Sequence, residues 1–136
     1  MTDCIFCKII AGEIPASKVY EDDEILAFLD ISQVTPGHTL IVPKKHFRNM
    51  LEMDGEAASQ LFARIPDIAR KVMKATGAKG MNIINNNEKI AGQSVFHTHV
   101  HLAPRYTEND DLKLTFVAHE PNFPALAELA EKISKA

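Results

Sequence analysis

Three of the chain's six histidines fall within five residues, in Phe96-His97-Thr98-His99-Val100-His101-Leu102. Imidazole titrates near neutral pH, attacks electrophiles and ligates metals, so the cluster suits nucleophilic, acid–base or metal chemistry. Read as a strand over 95–102, the segment puts the three rings on one face at ~6.6 Å intervals, with Thr98, Val100 and Leu102 on the other. Flanking Val95, Phe96, Val100 and Leu102 predict partial burial, where imidazoles need partners. A second constellation opens the chain. Cys4-Ile5-Phe6-Cys7 holds both cysteines, too few for a disulfide scaffold. The spacing fits a metal half-site or a redox dithiol, and it does not by itself separate them. With His46 and His97 as the other two ligands, the set would close a tetrahedral zinc site. No position would be left for water, so the site would be structural.

The elements that must position these residues follow from the pattern around them. A short helix is predicted over 6–11, ending at Gly12 with Pro15 close behind. Lys18–Glu21 and Ile25–Leu29 read as strands joined by the acidic turn Asp22-Asp23-Glu24. Pro36-Gly37 marks a turn into a buried strand, Thr39–Val42, closed by Pro43. From Asp54, an N-cap, the residues Ala58, Leu61, Ile65, Ile68 and Val72 line one face of a long helix that Gly77 stops. Pro66 lies inside it and removes a hydrogen bond, so a kink or break is expected there. Met81–Asn85 is a further strand, and Asn85-Asn86-Asn87 is first of all a turn signal. A last helix carries Leu126, Leu129, Ala130 and Ile133 on one face. Strands with an interposed helix, without regular alternation, predict an α+β fold with a largely antiparallel sheet.

Composition narrows the function classes. At 136 residues, with 46% hydrophobic and 24% charged residues, the chain fits one globular domain over 1–136. A net charge of −3 without a basic run gives no electrostatic footprint for nucleic acid. No apolar run approaches the ~20 residues of a membrane span, so no membrane partner is expected. Met1-Thr2-Asp3-Cys4 lacks the regions of a signal peptide, which makes the expected location cytoplasmic.

The motifs together resemble the histidine triad (HIT) family, whose signature is His-x-His-x-His followed by apolar residues. Other segments agree in order and spacing: Cys4 to Pro15, Ala27-Phe28-Leu29-Asp30-Ile31, Pro36-Gly37-His38-Thr39 on to His46, and Gly92-Gln93-Ser94-Val95. The likeness spans about 4–105, leaves 106–136 as a C-terminal extension, and is nearest to Hint-like, zinc-carrying bacterial members. It implies a HIT-like fold, a homodimer formed through a sheet and the long helix, and binding of purine nucleoside monophosphates of the AMP or GMP type.

The resemblance also implies roles. His99 attacks the α-phosphorus of a nucleoside phosphoramidate and forms a nucleotidyl-histidine that water resolves. Such covalent catalysis divides one hard displacement into two easier ones. His101 supports charge and proton movement beside the phosphate, His38 completes the cluster, and Ser94 hydrogen-bonds the leaving group. Gly92, Gln93 and Val95 bring backbone to the phosphate. Ile5, Phe6, Ile9, Phe28 and Ile31 sandwich the base, though as apolar residues they also read as ordinary core. Asp30 pairs with the ribose, or is only a strand-end turn residue. Asn86 makes a phosphate- or ribose-side contact. Cys4, Cys7, His46 and His97 match the ligands of a structural Zn²⁺, which the chemistry itself does not need. The sequence departs from the family at Thr98, where an apolar residue is usual, and in its long tail. Two other functions use the same residues: hydrolysis of dinucleoside polyphosphates, and nucleotide binding without turnover.

Overall fold

The computed structural model describes residues 3–136. Its elements, in order, are α1 (Ile5–Ile10), β1 (Lys18–Glu21), β2 (Ile25–Leu29), β3 (Thr39–Pro43), α2 (Gly55–Thr76), β4 (Gly80–Ile84), β5 (Val100–Arg105) and α3 (Phe123–Ser134). Among the described residues the strands form one antiparallel sheet in the order β1-β2-β3-β5-β4, with β4 at one edge. This is the expected α+β architecture.

β2 is apolar throughout and β3 is apolar after Thr39, because both faces of the sheet are covered. Ile25, Ala27, Ile41, Val100 and Leu102 pack under Leu61, Ile65, Ile68 and Val72 of α2. Their alternates Leu26, Phe28, Leu40 and Val42 pack under Phe6 and Ile9 of α1. The long helix therefore supports the sheet from one side, and the short one roofs the other.

Asp54 caps α2 by accepting from the Ala57 N–H, and Gly77 ends it in the left-handed region at φ 71°. The break expected at Pro66 does not occur: α2 runs through it as one helix of 22 residues. Pro66 and Phe62, whose carbonyl loses its partner, both face solvent, where water takes the place of the missing bond. Gly37 sits at φ 93°, and a Cβ there would lie 2.8 Å from Thr76 Cγ2. Only glycine lets this turn press on the end of α2 and deliver the next residue, His38, to the sheet.

One strand is shorter than predicted. The ladder of β5 begins at Val100, so 95–99 are irregular and only His101 of the three triad histidines is in a strand. Extending the β3–β5 register would place Thr98 opposite Pro43, which has no N–H to donate. Thr98 instead donates its N–H and its hydroxyl to the Phe47 carbonyl, at 2.8 and 3.2 Å. No helix among the described residues is long and apolar enough to cross a membrane.

Candidate active site and metal cluster

His99, His101 and His38 meet at the start of β5. The His99 and His101 rings lie 5.0 Å apart, and His38 lies 5.2 Å from His101. Their hydrogen bonds settle which nitrogen of each ring carries the proton. His99 Nδ1 faces the His97 carbonyl at 2.7 Å, and a carbonyl only accepts, so the proton is on Nδ1 and Nε2 keeps a free lone pair. Asn85 donates its amide to the His99 carbonyl at 3.0 Å and fixes the backbone there. His38 Nδ1 accepts the Val34 N–H at 3.3 Å, which puts its proton on Nε2. That nitrogen donates to His101 Nδ1 at 2.9 Å, leaving His101 with its proton on Nε2.

All three rings are neutral near pH 7. Burial lowers the pKa of His38 and of His99 below the ordinary 6.5, against an opposing pull from Asp30 on both and, on His99, from the hydrogen bond to the His97 carbonyl. Burial, with His99 and His38 beside it, takes His101 down to about 4. Asp30 Oδ2 stands 3.8 Å from His38 Nε2. Burial would raise the Asp30 pKa, but hydrogen bonds from the Ser32 hydroxyl and N–H, with His38 and His101 nearby, hold it below the usual range.

A cleft of about 720 Å³ opens beside these rings. Ile5, Phe6, Ile9, Phe28, Asp30, Ile31 and Val95 are among the residues that line it. Phe6 links it to the histidines, its ring 5.1 Å from His99 and 6.0 Å from His97, both edge-on. Ile31 is fully exposed at the rim. Ser94 is exposed on the loop leading to the triad. Asn86 packs its amide over Gly92, itself at φ 98°.

The Gln93 side chain is committed elsewhere. Its Nε2 donates to the carbonyls of Arg48 and Val95 at 2.6 and 3.1 Å. Its Oε1 accepts from the Glu88 N–H and the Asn49 amide at 2.8 and 3.2 Å. Its backbone N–H is engaged as well, donating to the Glu88 carbonyl at 3.2 Å. Gln93→Leu would remove all four hydrogen bonds of this buried amide, and we expect a loss of about 2–4 kcal/mol in chemical denaturation. A stability within 0.5 kcal/mol of wild type would show that this network is dispensable.

Cys4, Cys7, His46 and His97 converge separately, their ligand atoms all within 4.8 Å of one another. His97 Nε2 faces the Pro43 carbonyl at 2.8 Å, so its proton is there and Nδ1 is an acceptor. Crowded around that Nδ1 are Cys4 Sγ at 3.4 Å, Cys7 Sγ at 3.6 Å and His46 Nδ1 at 3.1 Å. Burial and the neighbouring Cys4 push the Cys7 thiol up to about 11, so a metal held here must displace a proton. Burial takes His97 down to about 4. These four residues can hold a metal ion.

Several groups that shape the site had no signature in the sequence. The Val34 N–H and the Pro43 and His97 carbonyls are main chain. Gln33, at φ 42°, donates to the carbonyls of Asp30 and His38 and accepts from the Gly37 N–H, clamping the loop that carries two site residues.

Residues 11–108 match the HIT domain. The chain belongs to the HIT family. Protein hit of Bacillus subtilis is 51% identical over 89% of this chain and 83% of its own. A Schizosaccharomyces pombe protein named adenosine 5'-monophosphoramidase hnt1 is 37% identical over 96% of both chains. Among solved structures of similar proteins, SMU.412c of Streptococcus mutans superposes with a TM-score of 0.96 at 63% identity, over 99% of this HIT chain and 85% of that one. A HIT family protein of Bacillus anthracis superposes with a TM-score of 0.94 at 47% identity, over 98% of this chain and 96% of that one.

Proposed function

We propose that this HIT-type hydrolase cleaves purine nucleoside phosphoramidates at the α-phosphorus, through a nucleotidyl group carried on His99 Nε2. The observation that carries the reading is the tautomer of His99: a neutral, buried imidazole whose Nδ1–H is tied to the His97 carbonyl and whose Nε2 lone pair is free. In the first step Nε2 forms a bond to phosphorus as the P–N bond to the leaving amine breaks, and the amine takes the proton that His101 carries on Nε2. In the second, water attacks phosphorus and returns a proton to His101 Nε2, the P–Nε2 bond breaks, and nucleoside monophosphate leaves with His99 restored. His101, donating from Nε2, supports the phosphoryl oxygens and the proton movement, and His38 holds it in that tautomer. Asp30 is the ribose partner, the apolar cleft takes the base, Asn86, Gly92 and the backbone of 93–95 approach the phosphate, and Ser94 serves the leaving group. The phosphoramidase name of the fission-yeast relative supports the substrate class.

We assign the metal cluster to a structural Zn²⁺ held by Cys4, Cys7, His46 and His97. Tetrahedral bonds of ~2.3 Å to sulfur and ~2.05 Å to nitrogen need S···N edges of roughly 3.5–3.6 Å. The observed edges are 3.4, 3.4 and 3.6 Å. His97 Nε2–H on the Pro43 carbonyl is the outer hydrogen bond such a ligand needs. The reading also takes the protein as a homodimer, as the family likeness implies, and places it in the cytoplasm.

The test is turnover of a fluorogenic adenosine phosphoramidate beside diadenosine polyphosphate, as a function of pH. Protonating His99 removes its lone pair, so kcat/KM falls on the acid side. Because burial lowers its pKa, the fall comes below the 6.5 of free imidazole. Preference for the polyphosphate would replace the phosphoramidase reading with a dinucleoside polyphosphate hydrolase. Binding of AMP without turnover of either substrate would leave a nucleotide-binding module.

A further inference from the structure

Glu88, which opens the loop leading to Ser94 and the triad, lies at φ 77° and ψ 155°, a region left almost wholly to glycine. Such a conformation persists only where the surroundings hold it. Arg48, forty residues away, does the holding. Its Nε and one Nη donate to the two Glu88 carboxylate oxygens, both at 2.9 Å, in a fork-to-fork pair. The Asn49 amide adds a third bond to the same carboxylate at 2.7 Å.

The fork also aims the guanidinium. It lies over the Phe96 ring, 4.2 Å from the ring centre, and Phe96 is the last residue before the triad. One side chain therefore grips both the start and the end of the loop. Gln93, between them, is fastened to main chain of the same pair, by the Arg48 carbonyl at 2.6 Å and the Glu88 N–H at 2.8 Å. Ser94 is exposed in the short span between that anchor and Phe96. Ion pairs as exposed as Arg48 with Glu88, at 48% and 44%, add little to stability, so stability does not account for a fork, a stack and a strained backbone in one loop. What the loop carries does.

We propose that Arg48, aimed by Glu88 over Phe96, is a positioning residue that holds Ser94 against the departing amine of the substrate. The role deepens the phosphoramidase reading above and rests on it. Arg48 acts through the loop and not on the reacting atoms. Its effect falls on the first step, in which the P–N bond breaks and the amine must meet both a proton and a hydrogen bond. In the second step the amine is gone, and water attacks the same nucleotidyl-His99 whichever amine brought it. Loss of the clamp is felt in proportion to the help the amine needs. A basic alkylamine needs most, while a nitroaniline spreads developing charge into its ring and needs little. The bonds from Arg48 and Asn49 hold the Glu88 carboxyl down to about 2, so the clamp is closed throughout the neutral range.

The test uses the full-length protein, its Arg48→Ala and Glu88→Gly variants, and two adenosine phosphoramidates, one of an alkylamine and one of nitroaniline. Glu88→Gly releases the guanidinium and gives φ 77° to the residue that adopts it freely, so this variant folds whether or not Arg48→Ala does. Both keep the main-chain bonds of Gln93. Each is expected to lose at least tenfold in kcat/KM on the alkylamine substrate and less than threefold on the nitroanilide. A merely structural defect would lower the two substrates alike. Equal losses on both, or no loss on either, would overturn the positioning role and leave the hydrolase standing. A wild type that turns over neither substrate would overturn the hydrolase reading, and the clamp's role with it.

Discussion

His99→Ala is expected to lower phosphoramidate kcat/KM by at least about a thousandfold, the scale on which loss of a covalent nucleophile is felt. The size of the effect follows from how little else the ring does. Its Nδ1–H returns to the chain's own His97 carbonyl, and the hydrogen bond from Asn85 reaches the His99 backbone, which alanine keeps. The ring also makes edge contacts with Phe6 and His101. Truncation therefore leaves a small cavity and a folded protein with its metal cluster intact. Acid-quenched wild type mixed with substrate should carry one nucleotidyl group by intact mass, and the variant none. A variant within tenfold of wild type, or a nucleotidyl group found on it, would sink the assignment of His99.

The fold was legible where local chemistry and burial agree. Asp54 and Gly77 bound α2 as a cap and a left-handed stop should, and the apolar runs of β2 and β3 are strands because α1 and α2 cover both faces. The ends of β5 were not, because a ladder needs two chains. Val95–His99 looks like strand, but its neighbour would be Pro43, a residue that cannot donate and lies far off in sequence. Pro66 misled in the opposite sense, since the cost of an interior proline falls when the freed carbonyl faces water.

The site was legible in its side chains and illegible in its main chain. Histidine, cysteine and aspartate announce their chemistry, and spacing brought Cys4, Cys7, His46 and His97 together as expected. What selects the reactive nitrogen of His99 is a carbonyl, which every residue has. Gln93 carries a role its motif does not announce: its amide joins Arg48, Asn49, Glu88 and Val95.

Removing the metal is expected to lower Tm by about 10 °C or more and to weaken AMP binding about tenfold. The two effects share a cause. α1 is six residues long, too short to stand alone, and besides the packing of Phe6 and Ile9 on the sheet it is tied by Cys4 at its N-cap and Cys7 within it to His46 and His97. Its Phe6 forms a wall of the nucleoside cleft and touches His99, while the carbonyl of His97 sets the His99 tautomer. Without a cation, three polar groups crowd one unprotonated His97 nitrogen, and relief of that crowding moves α1 and the triad backbone together. Native protein should bind about one equivalent of zinc with both thiols masked, and chelation should expose them as Tm falls. Cys7→Ser should reproduce the loss of metal and of AMP affinity without chelator. Metal-free protein with unchanged Tm and AMP affinity would instead make Cys4 and Cys7 a redox dithiol, because a pair that holds nothing in place is free to cycle.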